Sequence, residues 1–197
     1  MTECFGVYGA ETMAVAGKDQ VMLWTDDSTL GILAASTFGA KRTWTQIVLL
    51  SFVEAGVLSK NDYNKAVAKL IGCGYTLTFF DSACMLEACR LSDFGAARFP
   101  LKQMIEVFRE IAMPNGMLVR LFLELFVALQ REPLLFQKKS LIVRALLEAL
   151  WANPASHDLV LALRPVSSKL FGLNVVAEAE FNAAFDDWLR SLNRPIL

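Results

Sequence analysis

The chain has 197 residues, 55% of them apolar and 20% charged, with a net charge near −1. That length holds one domain with a real core, or one domain and a helical extension. The balanced charge excludes a globally basic nucleic-acid binder and leaves room only for a local nucleic-acid site.

Glu3 stands where a secretory signal carries its basic residues, and no long apolar stretch follows, so the chain reads as lacking one. The most apolar run, residues 117–129, is too short to span a bilayer and carries Arg120 and Glu124. The four cysteines, Cys4, Cys73, Cys84 and Cys89, form no CxxC pair, and the single histidine, His157, is distant in sequence. This argues against zinc and for reduced, mostly buried thiols in a cytoplasmic protein without membrane contact.

In chain order, small and apolar residues around Glu11 predict a short helix ending near Gly17. Residues 21–27 (VMLWTDD) are an apolar run that stops at two carboxylates, the pattern of a buried strand. Residues 28–38 have helical apolar spacing, with Asp27 or Ser28 to cap the start and Gly39 to end the helix. Residues 41–45 (KRTWT) read as a second short strand, so strand, helix and strand predict a parallel βαβ pair. Thr45 or a neighbour opens a helix over 46–55, closed by Gly56, and Ser59 and Asp62 cap another over 63–71. Residues 75–80 (YTLTFF) alternate and are rich in aromatic and β-branched types, which predicts a third strand, and Asp81 with Ser82 caps a helix over 83–91.

Beyond about residue 95 only helices are predicted. One starts at Pro100 and runs to Met113. The next, 117–130, is apolar almost all round and belongs at the centre of a helical layer. Further helices are expected over 140–151, over 158–163 with a break near Pro165, and over 175–192. Arg120 with Glu124 and Arg144 with Glu148 read as i,i+4 ion pairs on solvated edges, and Asp186 with Asp187 as a solvated face.

The constellation that could carry chemistry is Glu11, Asp26 and Asp27. Three oxygen donors on adjoining elements at one sheet edge could hold Mg2+ or Mn2+, and such a centre activates water in phosphodiester cleavage. The structural alternative is that Asp27 caps a helix, Asp26 is exposed and Glu11 is a surface residue.

The order of these segments resembles the later half of a PIN-like domain. The resemblance runs from Gly9-Ala-Glu11 through the strand ending in Asp26-Asp27, then Ala34, Ala35, Gly39, the strand ending at Thr45, and Leu49 with Leu50. It continues through residues 54–59 (EAGVLS) and 69–75 (KLIGCGY) and the strand after them, covering residues 9 to about 90. It implies a small, mostly parallel three-stranded Rossmann-like α/β sheet over residues 1–93, followed by an all-helical region over 94–197. It also implies a divalent-metal-dependent ribonuclease, with Glu11, Asp26 and Asp27 as metal ligands and catalytic residues, Thr25 as a hydroxyl beside the metal, Lys41 and Arg42 as phosphate contacts, and RNA as substrate. Only ten residues precede Glu11, where PIN-like domains place a first strand ending in aspartate and an early acidic residue, so the unit reads as truncated or degenerate.

Two functions are therefore expected: a PIN-like ribonuclease or its inactive remnant, and a non-enzymatic protein-interaction module built on the helical half. The sheet face left open by the missing strand predicts a homo-oligomer or a protein partner that covers it.

Overall fold

The computed structural model describes residues 2–18, 21–75, 78–110, 115–171 and 174–192. About 74% of them are helical, in ten α-helices, with two strands of three residues each. The chain forms two compact units, Met1–Tyr63 with Tyr75–Phe79, and Asn64–Gly74 with Phe80–Leu197.

The first unit opens with α1 (Thr2–Ala16), followed by β1 (Met22–Trp24), α2 (Ser28–Phe38), β2 (Lys41–Thr43) and α3 (Thr45–Glu54). β1 and β2 are parallel, in the register Met22 to Lys41, Leu23 to Arg42 and Trp24 to Thr43, as the βαβ reading expects. α2 starts and stops where the sequence places its signals. Asp27 is the N-cap, and Gly39 closes the helix in the left-handed region at φ 66°, returning its N–H to the carbonyls of Ala34 and Ala35. The small core of the unit is Met13, Ala16, Leu23, Ala34 and Ala40, with Leu30, Leu33 and Phe38 packed against it. Small residues let α1 and α2 come close: a Cβ added at Gly17 would lie 2.7 Å from the Phe38 Cβ.

The expected three-stranded Rossmann-like sheet is overturned. The sheet has two strands, and the chain is mostly helical. Of the predicted third strand, residues 76 and 77 lie outside the described residues, while Tyr75, Thr78, Phe79 and Phe80 are irregular. The reason is local. The Gln46 side chain occupies both peptide groups of Phe79, accepting from its N–H (2.8 Å) and donating to its carbonyl. A side-chain amide thus replaces the neighbouring strand that alternating sequence alone would call for.

α4 (Lys60–Gly72) begins in the first unit and ends in the second, and Ser59 caps it by accepting from the Asp62 N–H at 3.1 Å. The second unit continues with α5 (Ser82–Leu91), capped by Asp81, then α6 (Leu101–Glu110), α7 (Asn115–Gln130), α8 (Phe136–Trp151), α9 (His157–Phe171) and α10 (Val175–Leu192). α7 is central, as its all-round apolar composition predicts: Leu118, Phe122, Leu123, Leu125, Phe126 and Leu129 are buried. Rings interlock along this core, with Phe126 and Phe181 at 5.3 Å, Phe185 and Trp188 at 5.4 Å, and Trp151 and Trp188 at 5.6 Å between centroids. Both i,i+4 pairs form at 2.7 Å on exposed positions, and Asp186 and Asp187 pair with Arg164 and Arg190.

Two helix expectations change. α8 starts four residues before the predicted 140. α9 runs through Pro165 instead of breaking there. The proline forfeits one bond to the carbonyl of Leu161, a residue 54% exposed. Among the described residues no helix is long and apolar enough to cross a membrane.

Candidate functional site

The predicted site residues follow β1 directly. The ladder ends at Thr25, whose N–H donates to the Thr43 carbonyl at 3.0 Å. The Thr25 hydroxyl turns back to accept from the Asp27 N–H at 3.1 Å, which fixes a tight turn. The two aspartates then diverge. The Asp27 carboxylate accepts from the N–H groups of Thr29 (2.8 Å) and Leu30 (3.0 Å), satisfying the first turn of α2. The Asp26 carboxylate reaches the other strand instead. One oxygen accepts from the Thr45 N–H at 2.8 Å and the other from the Thr45 hydroxyl at 2.5 Å, at the first residue of α3.

Each carboxylate therefore sits at a different helix N-terminus, where free N–H groups and the helix dipole favour negative charge. This agrees with the capping alternative for Asp27. Asp26 is half-buried and bonded, not the exposed residue that alternative supposes. Trp24 joins the same cluster, its indole N–H donating to the Thr45 hydroxyl oxygen at 3.1 Å.

Lys41 and Arg42 are exposed on β2. Arg42 lies across the first turn of α2: a Cβ added at Gly31 would meet its Nη1 at 2.9 Å and the Thr25 Cγ2 at 3.5 Å. Glycine at 31 is what gives the guanidinium that room. Glu11 is elsewhere. It is exposed on α1 and borders a groove along residues 21–24 that neither Asp26 nor Asp27 lines.

The structure thus gathers Thr25, Asp26, Asp27, Arg42 and Thr45 at the carboxyl end of the two strands and leaves Glu11 beside the groove. Among the described residues no group of three or more His, Cys, Asp or Glu side chains is gathered where it could hold a metal ion. The donor set fits two helix caps better than one cation shared by all three acids, because the Asp26 and Asp27 oxygens are turned toward different peptide N–H groups.

Gln46 escapes a motif-based reading. It is buried at the start of α3, bonded to Phe79 as described, and also donates to the Tyr63 hydroxyl at 3.1 Å. The only signal in sequence is one amide opening an otherwise apolar segment (TQIVLLSFV). Comparison with known proteins gives no match: no family model, no curated protein and no solved structure matches the chain.

Proposed function

We propose that the chain is a non-enzymatic protein-interaction module, acting in the cytoplasm on a protein partner, with Asp26 and Asp27 serving the fold instead of cutting RNA. The observation that carries this reading is the direction of the two carboxylates, one satisfying α2 and the other α3. Cys73 and Cys89 are free thiols, which suits a reducing compartment.

The distribution of exposed apolar residues supports a contact surface in the first unit and draws the proposal away from the helical half. That unit is about a third of the chain. Yet among the described residues it carries Val15, Val21, Met22, Trp24, Ile32, Ile47, Phe52, Val57, Tyr75 and Phe79 as large exposed apolar side chains, against nine in the whole second unit. α3 is extreme: Ile47 and Phe52 are exposed, Val48, Leu49, Leu50 and Val53 are half-buried, and its one buried side chain is the polar Gln46. Apolar surface concentrated in this way marks contact sites.

The test is RNA cleavage in millimolar Mn2+ by the wild type and by Asp26→Asn/Asp27→Asn, with Mn2+ titration calorimetry beside it. No cleavage by either protein and no heat of binding are expected. Cleavage by the wild type that the double variant loses would overturn the proposal in favour of a nuclease.

A further inference from the structure

Among the described residues β1 is hydrogen-bonded on one side only. Peptide groups alternate in direction along a strand, and the N–H of Thr25 points to β2. The N–H and C=O groups of Leu23 therefore also face β2, and those of Met22 and Trp24 face away. On that outer side a groove of about 420 Å3 runs between α1 and β1, lined by Glu11, Thr12, Val15, Ala16 and residues 21–24. Met22 and Trp24 are 58% and 59% exposed, and residues 21–25 contain none of the lysines, prolines or inward charges that close natural sheet edges. Glu11, the one charged side chain among the described residues that line the groove, has no hydrogen bond or ion pair with any described residue.

We propose that this groove takes an extended segment of a protein partner, added to β1 as a third strand, apolar at alternate positions and carrying one lysine or arginine opposite Glu11. The inference rests on the interaction-module reading and names its site. The occupant's chemistry follows from the walls. The outward N–H and C=O groups of Met22 and Trp24, one strand repeat apart, suit another extended backbone, as in strand addition to an open edge. Val15, Ala16, Met22 and Trp24 call for apolar side chains, and Glu11 for a base. A second copy is the weaker occupant: its own residues 21–25 have no charge to offer Glu11, and its β2 edge, which would bring Lys41 and Arg42, joins copies head to tail without closing. The gain to the fold is direct, since a two-stranded sheet is marginal and a third strand stabilises it.

Random peptides displayed on phage, selected on the immobilised full chain, test the proposal. Enriched peptides should alternate β-branched or aromatic residues with polar ones and share a basic position, and Glu11→Arg should shift that position to an acid. Met22→Pro removes an outward N–H without touching the ladder to β2, and should weaken the selected peptides by roughly tenfold, the worth of about one hydrogen bond. No enrichment, or peptides that bind Met22→Pro and Glu11→Arg as well as the wild type, overturns it. Self-association in sedimentation that Met22→Pro dissolves also overturns it, assigning the edge to a second copy. Either failure leaves the module reading intact, whereas RNA cleavage that depends on Asp26 and Asp27 removes both.

Discussion

Replacing both Asp26 and Asp27 by alanine separates a capping role from a metal-ligating one by the sign of the stability change. Asp27→Ala strips two N–H groups of α2 of their acceptor, a loss of about 1 kcal/mol for a helix cap. Asp26→Ala removes two bonds from Thr45 to a half-buried charged acceptor, about 2 kcal/mol. The two are adjacent in one turn, so their losses are coupled, and the double variant should lose more than either single variant. A shared cation site predicts the opposite without metal: two adjacent carboxylates repel each other, and neutralising them relieves the metal-free protein. Amide exchange in EDTA suits a chain of two units, for which one global unfolding energy is poorly defined. Exchange at Thr29 and Leu30 should accelerate in Asp27→Ala, at Thr45 in Asp26→Ala, and across α2 and α3 in the double variant. Unchanged or slower exchange in the double variant would refute the capping argument.

Two further predictions concern the second unit. Burial pushes the Cys89 thiol from the ordinary 9.0 up to about 12. The folded protein therefore keeps this proton where the unfolded chain has released it, and stability contributed below pH 9 is lost as pH rises toward 12, at about 1.4 kcal/mol per pH unit. Urea unfolding between mildly and strongly alkaline pH should be steeper in the wild type than in Cys89→Ala; equal slopes would count against that assignment. Arg90 bridges the buried Glu87 and, at 2.6 Å, Glu132. Arg90→Ala strips a buried carboxylate of its guanidinium and should cost about 3 kcal/mol in thermal or urea unfolding, with Arg90→Lys recovering only part because it lacks the two-pronged geometry.

What could be read from the sequence was local. A strand at β1, a cap at Asp27 or Ser28 and a helix stop at Gly39 depend on neighbours within a few residues and are legible from residue type, but the expected burial of the strand is not met, since Met22 and Trp24 are 58% and 59% exposed. Asp26 was not legible, because its partner Thr45 lies nineteen positions away and nothing in VMLWTDD says which helix that carboxylate will serve. Glu11 was grouped with the aspartates because all three are acids near one strand. The fold instead puts it on the groove side of β1. Pro165 differs for a related reason: an internal proline forfeits a hydrogen bond and crowds the preceding turn, and whether the helix continues through it is decided by tertiary packing. The YTLTFF segment has strand composition, but composition cannot supply a neighbouring strand, and Gln46 supplies the hydrogen bonds in its place.

That substitution of a side chain for a strand makes a last prediction. Gln46 is buried and makes three hydrogen bonds, two to the peptide groups of Phe79 and one to the Tyr63 hydroxyl. Gln46→Leu keeps the volume and the helix propensity of α3 and removes all three. Phe79 is 77% exposed as a residue and its bonds to Gln46 are part-buried, while the Tyr63 hydroxyl sits on a buried residue and loses a donor. The cost is then about 2 kcal/mol rather than the larger penalty of three orphaned groups. The Phe79 amide should exchange much faster in Gln46→Leu, with the amides of α2 little changed. Should the Phe79 amide stay protected, the segment is held by something other than Gln46, and the explanation given for the missing third strand fails with it.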